Sequence, residues 1–347
     1  MKLNNYIVCK DILAIRTNAG RICWSFGQPP QFASDSEVDA CRIVMKLIVN
    51  PLRAEAELLQ GLEKYHYWRG TPGRDELFYQ RNFFCGTKLR LLVRGLQTDR
   101  PEIWTNRNYL RFIRFRFNNL HSPGYQLTDL ACALLLTRNL TPLHCSGFHI
   151  GNSTVAVIAP PDTGKTLTTM GAVLHNSASF ISEDLGITDG VNFYACPWTS
   201  TFRYYDQLSM SWLLRMRMKL IRLFPPAELL PVPGDSRTID HYVGHERIAD
   251  SKKITHIAIL ARRPGGVRLL NKDDARRMIF NLNRYEFAYM KSPMLTAYSY
   301  FNPEFDIQSL VSKEREILSR LIDNSTCLLV QSEDPTEFAD LILKKIR

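Results

Sequence analysis

The run Ala159-Pro160-Pro161-Asp162-Thr163-Gly164-Lys165-Thr166 follows the β-branched segment Ser153 to Ile158 and leads into Leu167 to Leu174. This order predicts a strand, an anion-binding turn and a helix. A turn ending Gly-Lys-Thr aims backbone N–H groups and a helix N-terminus at an anion. Lys165 is then expected to reach the outer phosphates of a nucleotide, and the Thr166 hydroxyl a Mg²⁺ ion. The expected nucleotide-binding residues are Pro160, Pro161, Asp162, Thr163, Gly164, Lys165, Thr166 and Leu167. Ala159 stands where the pattern usually has its first glycine, so the assignment rests on the strand before the turn and the helix after it.

Two further features surround this motif. Downstream, the apolar segment Phe180-Ile181-Ser182 ends in Glu183-Asp184; paired acids at a strand end suit a Mg²⁺ ion and a general base. Upstream, His144 lies in Pro142-Leu143-His144-Cys145-Ser146-Gly147, at the exit of a segment with helical spacing, Tyr125 to Asn139.

The ordered set His144, strand, Gly164-Lys165-Thr166, Glu183-Asp184 resembles the catalytic domain of HPr kinase/phosphorylase and its relatives. These are bacterial kinases that phosphorylate a serine with a phosphate loop unrelated to the eukaryotic protein-kinase fold. The resemblance covers about residues 125 to 205 well and the remainder loosely. It implies an α/β fold, a mixed-sheet domain of the HPr kinase/PEP carboxykinase type at residues 123–347, with an N-terminal α+β extension at 1–122. It also implies ATP and Mg²⁺ as cofactors, Lys165 on the outer phosphates, Thr166, Glu183 and Asp184 near the metal, Asp184 as general base, and His144 beside the transferred phosphate. The later Gly-rich, Glu-containing signature of that family has no clear equivalent here, which leaves one metal ligand unassigned.

With 347 residues, 45% of them apolar and 22% charged, the chain reads as globular rather than disordered or fibrous. Its net charge of +10 favours anionic partners. No zinc-finger or aromatic-basic RNA signature is present, so nucleic acid is not expected; a generally basic surface is the simpler account. The eight cysteines are scattered without a CxxC, as in a chain with reduced thiols. The N-terminus lacks the apolar core of a signal peptide and no run has the length of a membrane span, so a cytoplasmic location is expected.

In the N-terminal third, Tyr6 to Cys9 and Arg21 to Trp24 read as short strands, and Ser36 to Lys64 as containing a helix with Val44, Leu47 and Ile48 on one face. Leu77-Phe78-Tyr79, Leu89 to Val93 and Glu102-Ile103-Trp104 read as strands. The stretch from Arg74 to Arg116, with Arg81, Arg90, Arg94, Arg107, Arg111 and Arg114 between, alternates arginine with Tyr and Phe. That pattern fits a half-buried sheet with solvated charges; a groove for an acidic peptide is the sharper alternative.

Farther on, Asn192 to Asp206 reads as a strand breaking into a Pro-Trp-Thr-Ser loop that could receive a substrate, with Arg203 near its end. Leu208 to Phe224 is amphipathic and fits a core-facing stripe better than membrane contact. Ile254 to Ala261 and Cys327 to Val330 read as buried strands, and Lys272 to Met290 and Glu304 to Ile322 as helices. Asp334-Pro335-Thr336-Glu337 reads as a capping box opening a last helix.

The expected function is a Mg²⁺- and ATP-dependent phosphotransferase acting on a hydroxyl, chiefly serine, of a peptide or small protein. Relatives of this kinase also modify ribosomally made precursor peptides. A non-catalytic nucleotide-binding regulator and a kinase of a small molecule such as free serine or a sugar remain open, as does a homo-oligomeric state.

Overall fold

A computed structural model describes residues 2–22, 24–52, 67–68, 75–82, 86–112, 123–198, 216 and 238–346. The fold is α/β, with several mixed sheets. The first sheet contains β1 (Asn4–Cys9), β2 (Leu13–Thr17), β3 (Ile43–Val49), β4 (Tyr67–Trp68), β5 (Glu76–Asn82), β6 (Lys88–Arg94) and β7 (Glu102–Thr105), in the order β1-β2-β3-β7-β6-β5-β4. Short helices α1 (Asp35–Asp39) and α2 (Arg107–Phe112) flank it. Helix α3 (Pro123–Thr137) packs its Leu127, Leu130 and Leu134 into the same apolar cluster as Leu13, Ile15, Leu47 and Leu91 of this sheet.

A four-stranded antiparallel sheet follows, built from β8 (Thr141–Leu143), β12 (Gly186–Thr188), β13 (Asn192–Tyr194) and β14 (Ser251–Lys253). The sheet that carries the site has the order β11-β9-β10-β15-β17-β16. Its strands are β9 (Ser146–Ile150), β10 (Ser153–Ile158), β11 (Ser179–Ser182), β15 (His256–Ala261), β16 (Gly266–Leu269) and β17 (Thr326–Gln331). Strands β10, β15 and β17 run parallel, while β9 is antiparallel to both β10 and β11.

Both faces of this sheet are covered, which is why its central strands are continuous apolar runs. Alternate side chains point to opposite layers. Val155, Val157, Ala258, Leu260, Leu328 and Val330 pack with Met170, Ala172 and Val173 of α4 (Lys165–His175) and Phe338 and Ile342 of α9 (Phe338–Ile346). Ile257, Ile259, Cys327 and Leu329 pack instead with Ile279 of α6 (Lys272–Glu286) and Leu318 and Leu321 of α8 (Ile307–Asn324). Helices α5 (Ile239–Val243) and α7 (Pro293–Phe301) and two 3-10 turns, His245–Arg247 and Tyr289–Lys291, complete the described elements.

Three local expectations are corrected. Val44, Leu47 and Ile48 lie on strand β3, not on a helix, and α1 spans only Asp35–Asp39. Strand β3 is interior to its sheet and nearly all buried, so its apolar run carries no period that separates strand from helix. Arg21, Ile22 and Trp24 form no strand: Ile22 N–H is taken by the Gln28 side chain and Trp24 Nε1 by Gly27 O. The Asp334 capping box is not formed either. Asp334 Oδ1 accepts from Thr336 N–H at 2.9 Å, a local turn, Glu337 accepts from Ser332 Oγ at 2.6 Å, and the helix starts at Phe338.

Of the arginines in the N-terminal region, Arg90 and Arg94 are used inside the sheet, on Gln80 Oε1 at 3.0 Å and Glu76 Oε2 at 2.9 Å across the β5–β6 ladder. Arg107 and Arg111 belong to α2 rather than to a strand. Arg74, Arg114, Arg116, Arg203 and the amphipathic stretch, apart from the exposed Met216, lie outside the described residues. Cys9, Cys41, Cys132, Cys145, Cys196 and Cys327 are free thiols in buried positions. No helix among the described residues is long and apolar enough to cross a membrane.

Candidate functional site

The turn 159–164 leaves β10 and enters α4, and its prolines and its left-handed residues shape it. Pro160 and Pro161 have no N–H, so donors in the turn are confined to its second half. Asp162 has φ 60° and Gly164 φ 124°, both in the left-handed region. At Gly164 a Cβ would also meet Pro335 Cβ at 2.9 Å, so the segment before α9 closes over the turn and only glycine fits.

Lys165, at the first position of α4, is buried. Its Nζ donates to Ala159 O at 2.8 Å and lies 2.9 Å from His144 Nε2. An ammonium has only donors, so Nε2 must be the accepting nitrogen and the imidazole proton resides on Nδ1. That proton faces carboxylates: Nδ1 is 3.7 Å from Asp184 Oδ1 and 3.9 Å from Glu286 Oε2. Burial, then the Lys165 charge, lower the His144 pKa to about 3 against an opposing contact with the Asp184 backbone, so the ring is neutral at pH 7. Burial also lowers the Lys165 pKa, opposed by Asp184, Glu286 and Glu183.

Glu183 and Asp184 diverge as expected of neighbours, although not by the alternation of an extended strand. Strand β11 ends at Ser182, and Leu185 N–H closes a three-residue turn on Glu183 O at 2.8 Å, with Asp184 at its apex at φ 68°. Such a turn is rarely adopted by a non-glycine residue and places strain beside the site. Glu183 is 2% exposed and accepts from Thr166 Oγ1 at 2.9 Å, whereas the Asp184 side chain is one-third exposed and stands beside His144.

Buried hydrogen bonds hold this arrangement. Ser146 Oγ donates to Lys165 O at 3.0 Å and receives Thr169 Oγ1 at 2.8 Å, tying β9 to the first turns of α4. Asn283 accepts the His144 N–H at 3.0 Å and donates to Pro142 O at 3.1 Å and Glu314 Oε1 at 2.7 Å. Glu314 in turn accepts from Tyr289 OH at 2.8 Å.

The structure thus brings together His144, Lys165, Thr166, Glu183 and Asp184. It adds two residues that sequence reasoning missed, Asn283 and Glu286, both on the last turn of α6. Asn283 interrupts the apolar stripe begun by Ala275 and Ile279, and a polar residue on a buried stripe was the signal available. His144, Asp184 and Glu286 each offer a ligand atom within 4.8 Å of the others, the one such group among the described residues. Thr166 and Glu183 present only oxygen, the donor type that hard divalent cations prefer. No protein-family model matches the chain, and no curated protein does.

Proposed function

We propose that this protein is a Mg²⁺-dependent ATP phosphotransferase of the HPr kinase-like P-loop type, which phosphorylates a hydroxyl, chiefly serine, on a peptide or small protein. The observation that carries this reading is the convergence of a phosphate-loop lysine, a strand-end acid pair and a neutral histidine within one buried cluster. A pure binder has no need of a carboxylate beside the place where the outermost phosphate would sit.

In this reading Lys165 exchanges its contacts with His144 and Ala159 for the outer phosphates. Thr166 and Glu183 would hold a Mg²⁺ ion, which would supply charge neutralisation on the phosphates. Asp184, the more accessible acid, takes the acceptor hydroxyl's proton. His144, relieved of the lysine, is free to carry its ring proton on Nε2 and donate it to an oxygen of the transferred group, and Asn283 keeps its backbone in place. Catalysis of this type is positioning and electrostatics, so few groups suffice.

A second reading, a nucleotide-binding regulator, is favoured by Pro160 and Pro161, which remove two phosphate donors from the turn. Incubation with γ-³²P-labelled ATP, Mg²⁺ and a library of serine-containing peptides discriminates the two. Label transfer to serine that is lost in Asp184→Asn supports the kinase. Tight ATP binding with no label on any peptide or small hydroxyl compound supports the regulator.

A further inference from the structure

Beside the phosphate loop, at the end of the neighbouring strand β15, lies a cavity of about 370 Å³. Its walls include Pro160 and Thr163 of the loop, Ala261 and Arg262 at the end of β15, and Met278 and Leu282 of α6. We infer that this cavity is the nucleobase pocket, taking the planar ring of the nucleotide whose phosphates the loop would hold. The inference rests on the nucleotide reading above.

Sheet order supplies the direction. Strands β9 and β11, which bring His144, Glu183 and Asp184 to the site, lie on one side of β10; β15 lies on the other. A triphosphate lying across the loop with its outermost phosphate toward His144 and Asp184 must send its other end toward β15. Helix α6 spans both places. Met278, Leu282 and Glu286 recur every four residues and so share one stripe, with Glu286 beside His144 and Met278 about 12 Å back along the axis at 1.5 Å per residue. One helix face therefore runs from the catalytic carboxylates to the cavity.

The lining has the chemistry of a ring site rather than of a phosphate or acceptor site. Pro160, Ala261, Met278 and Leu282 offer apolar surface for the two faces of a base, and the Met278 thioether is a favourable neighbour for an aromatic ring. Arg262 brings a planar guanidinium, which stacks on a base as well as pairing with phosphate. Only Thr163 and Arg262 among these residues carry polar side chains, so the pocket grips a base by its faces.

Calorimetry of the full chain with Mg²⁺·ATP and with Mg²⁺·tripolyphosphate separates base from phosphate recognition. Wild type is expected to bind ATP at least tenfold more tightly than tripolyphosphate. Leu282→Trp, which fills the cavity from a half-buried position, is expected to lose that tenfold advantage and keep its tripolyphosphate affinity; Met278→Trp is expected to do the same. Retained tripolyphosphate binding certifies the fold of each variant. The inference is overturned if wild type binds the two ligands alike, if both variants keep the ATP advantage, or if both weaken the two ligands equally. Should wild type bind neither ligand, the phosphate-loop reading itself falls, and the base pocket with it.

Discussion

The Nζ of Lys165 lies 2.9 Å from His144 Nε2, so the cation at the start of α4 is held by a neutral imidazole. This contact joins a residue before β9 to the first residue of α4, and after burial it is the second reason that His144 resists protonation. A histidine whose folded pKa falls below its unfolded value near 6.5 binds more protons when unfolded. Its stability contribution is therefore complete above pH 6.5 and is lost as pH falls toward the folded value of about 3. Between pH 7.5 and pH 5 the loss amounts to about 2 kcal/mol at 1.4 kcal/mol per pH unit. Urea unfolding of wild type and His144→Gln at the two pH values checks this: the variant is expected to have a shallower pH dependence, and identical dependences would contradict it.

Gly164→Ala places a methyl group 2.9 Å from Pro335 Cβ on a backbone at φ 124°. Strain of this kind costs on the order of 1–3 kcal/mol. The substitution is expected to lower the free energy of unfolding by that amount, seen as a lower denaturant midpoint, and to abolish nucleotide binding. A variant as stable as wild type would mean that the Pro335 segment does not press on the turn.

Asn283→Ala strips the His144 N–H, Pro142 O and Glu314 of their buried partner. Glu314 keeps Tyr289 OH and Pro142 O keeps Thr141 Oγ1, so the His144 N–H is the group that loses its partner, and a loss of about 1–3 kcal/mol is expected. Label transfer is expected to fall more than ATP affinity, because Asn283 touches the His144 backbone and not the loop. Equal falls in both would assign Asn283 to the general fold.

The strand, turn and helix at 153–174 were legible because β-branched residues, a Gly-Lys-Thr and an apolar helical stripe follow one another in a single stretch. The pair Glu183-Asp184 was legible as acids ending an apolar segment, and so was the divergence of their side chains, but not its cause, which is the turn at Asp184 rather than strand alternation; His144 was singled out through the resemblance alone. Glu286 and Asn283 were not legible as site residues, since a distant helix delivers them and only the packing of α6 against the sheet brings them to His144. Strand β3 was misread as helical because burial on both faces erases the alternation that marks a strand.

Binding of Mg²⁺·ATP to wild type, Lys165→Met and Asp184→Asn, measured by calorimetry on folded protein, tests the central claim most directly. Lys165 is assigned to phosphates and Asp184 to the proton of the acceptor. Wild type and Asp184→Asn are therefore expected to bind ATP within a few-fold of each other, and Lys165→Met to lose at least a hundredfold, about 2.7 kcal/mol. Wild-type affinity in Lys165→Met, or no binding by wild type, would contradict the account.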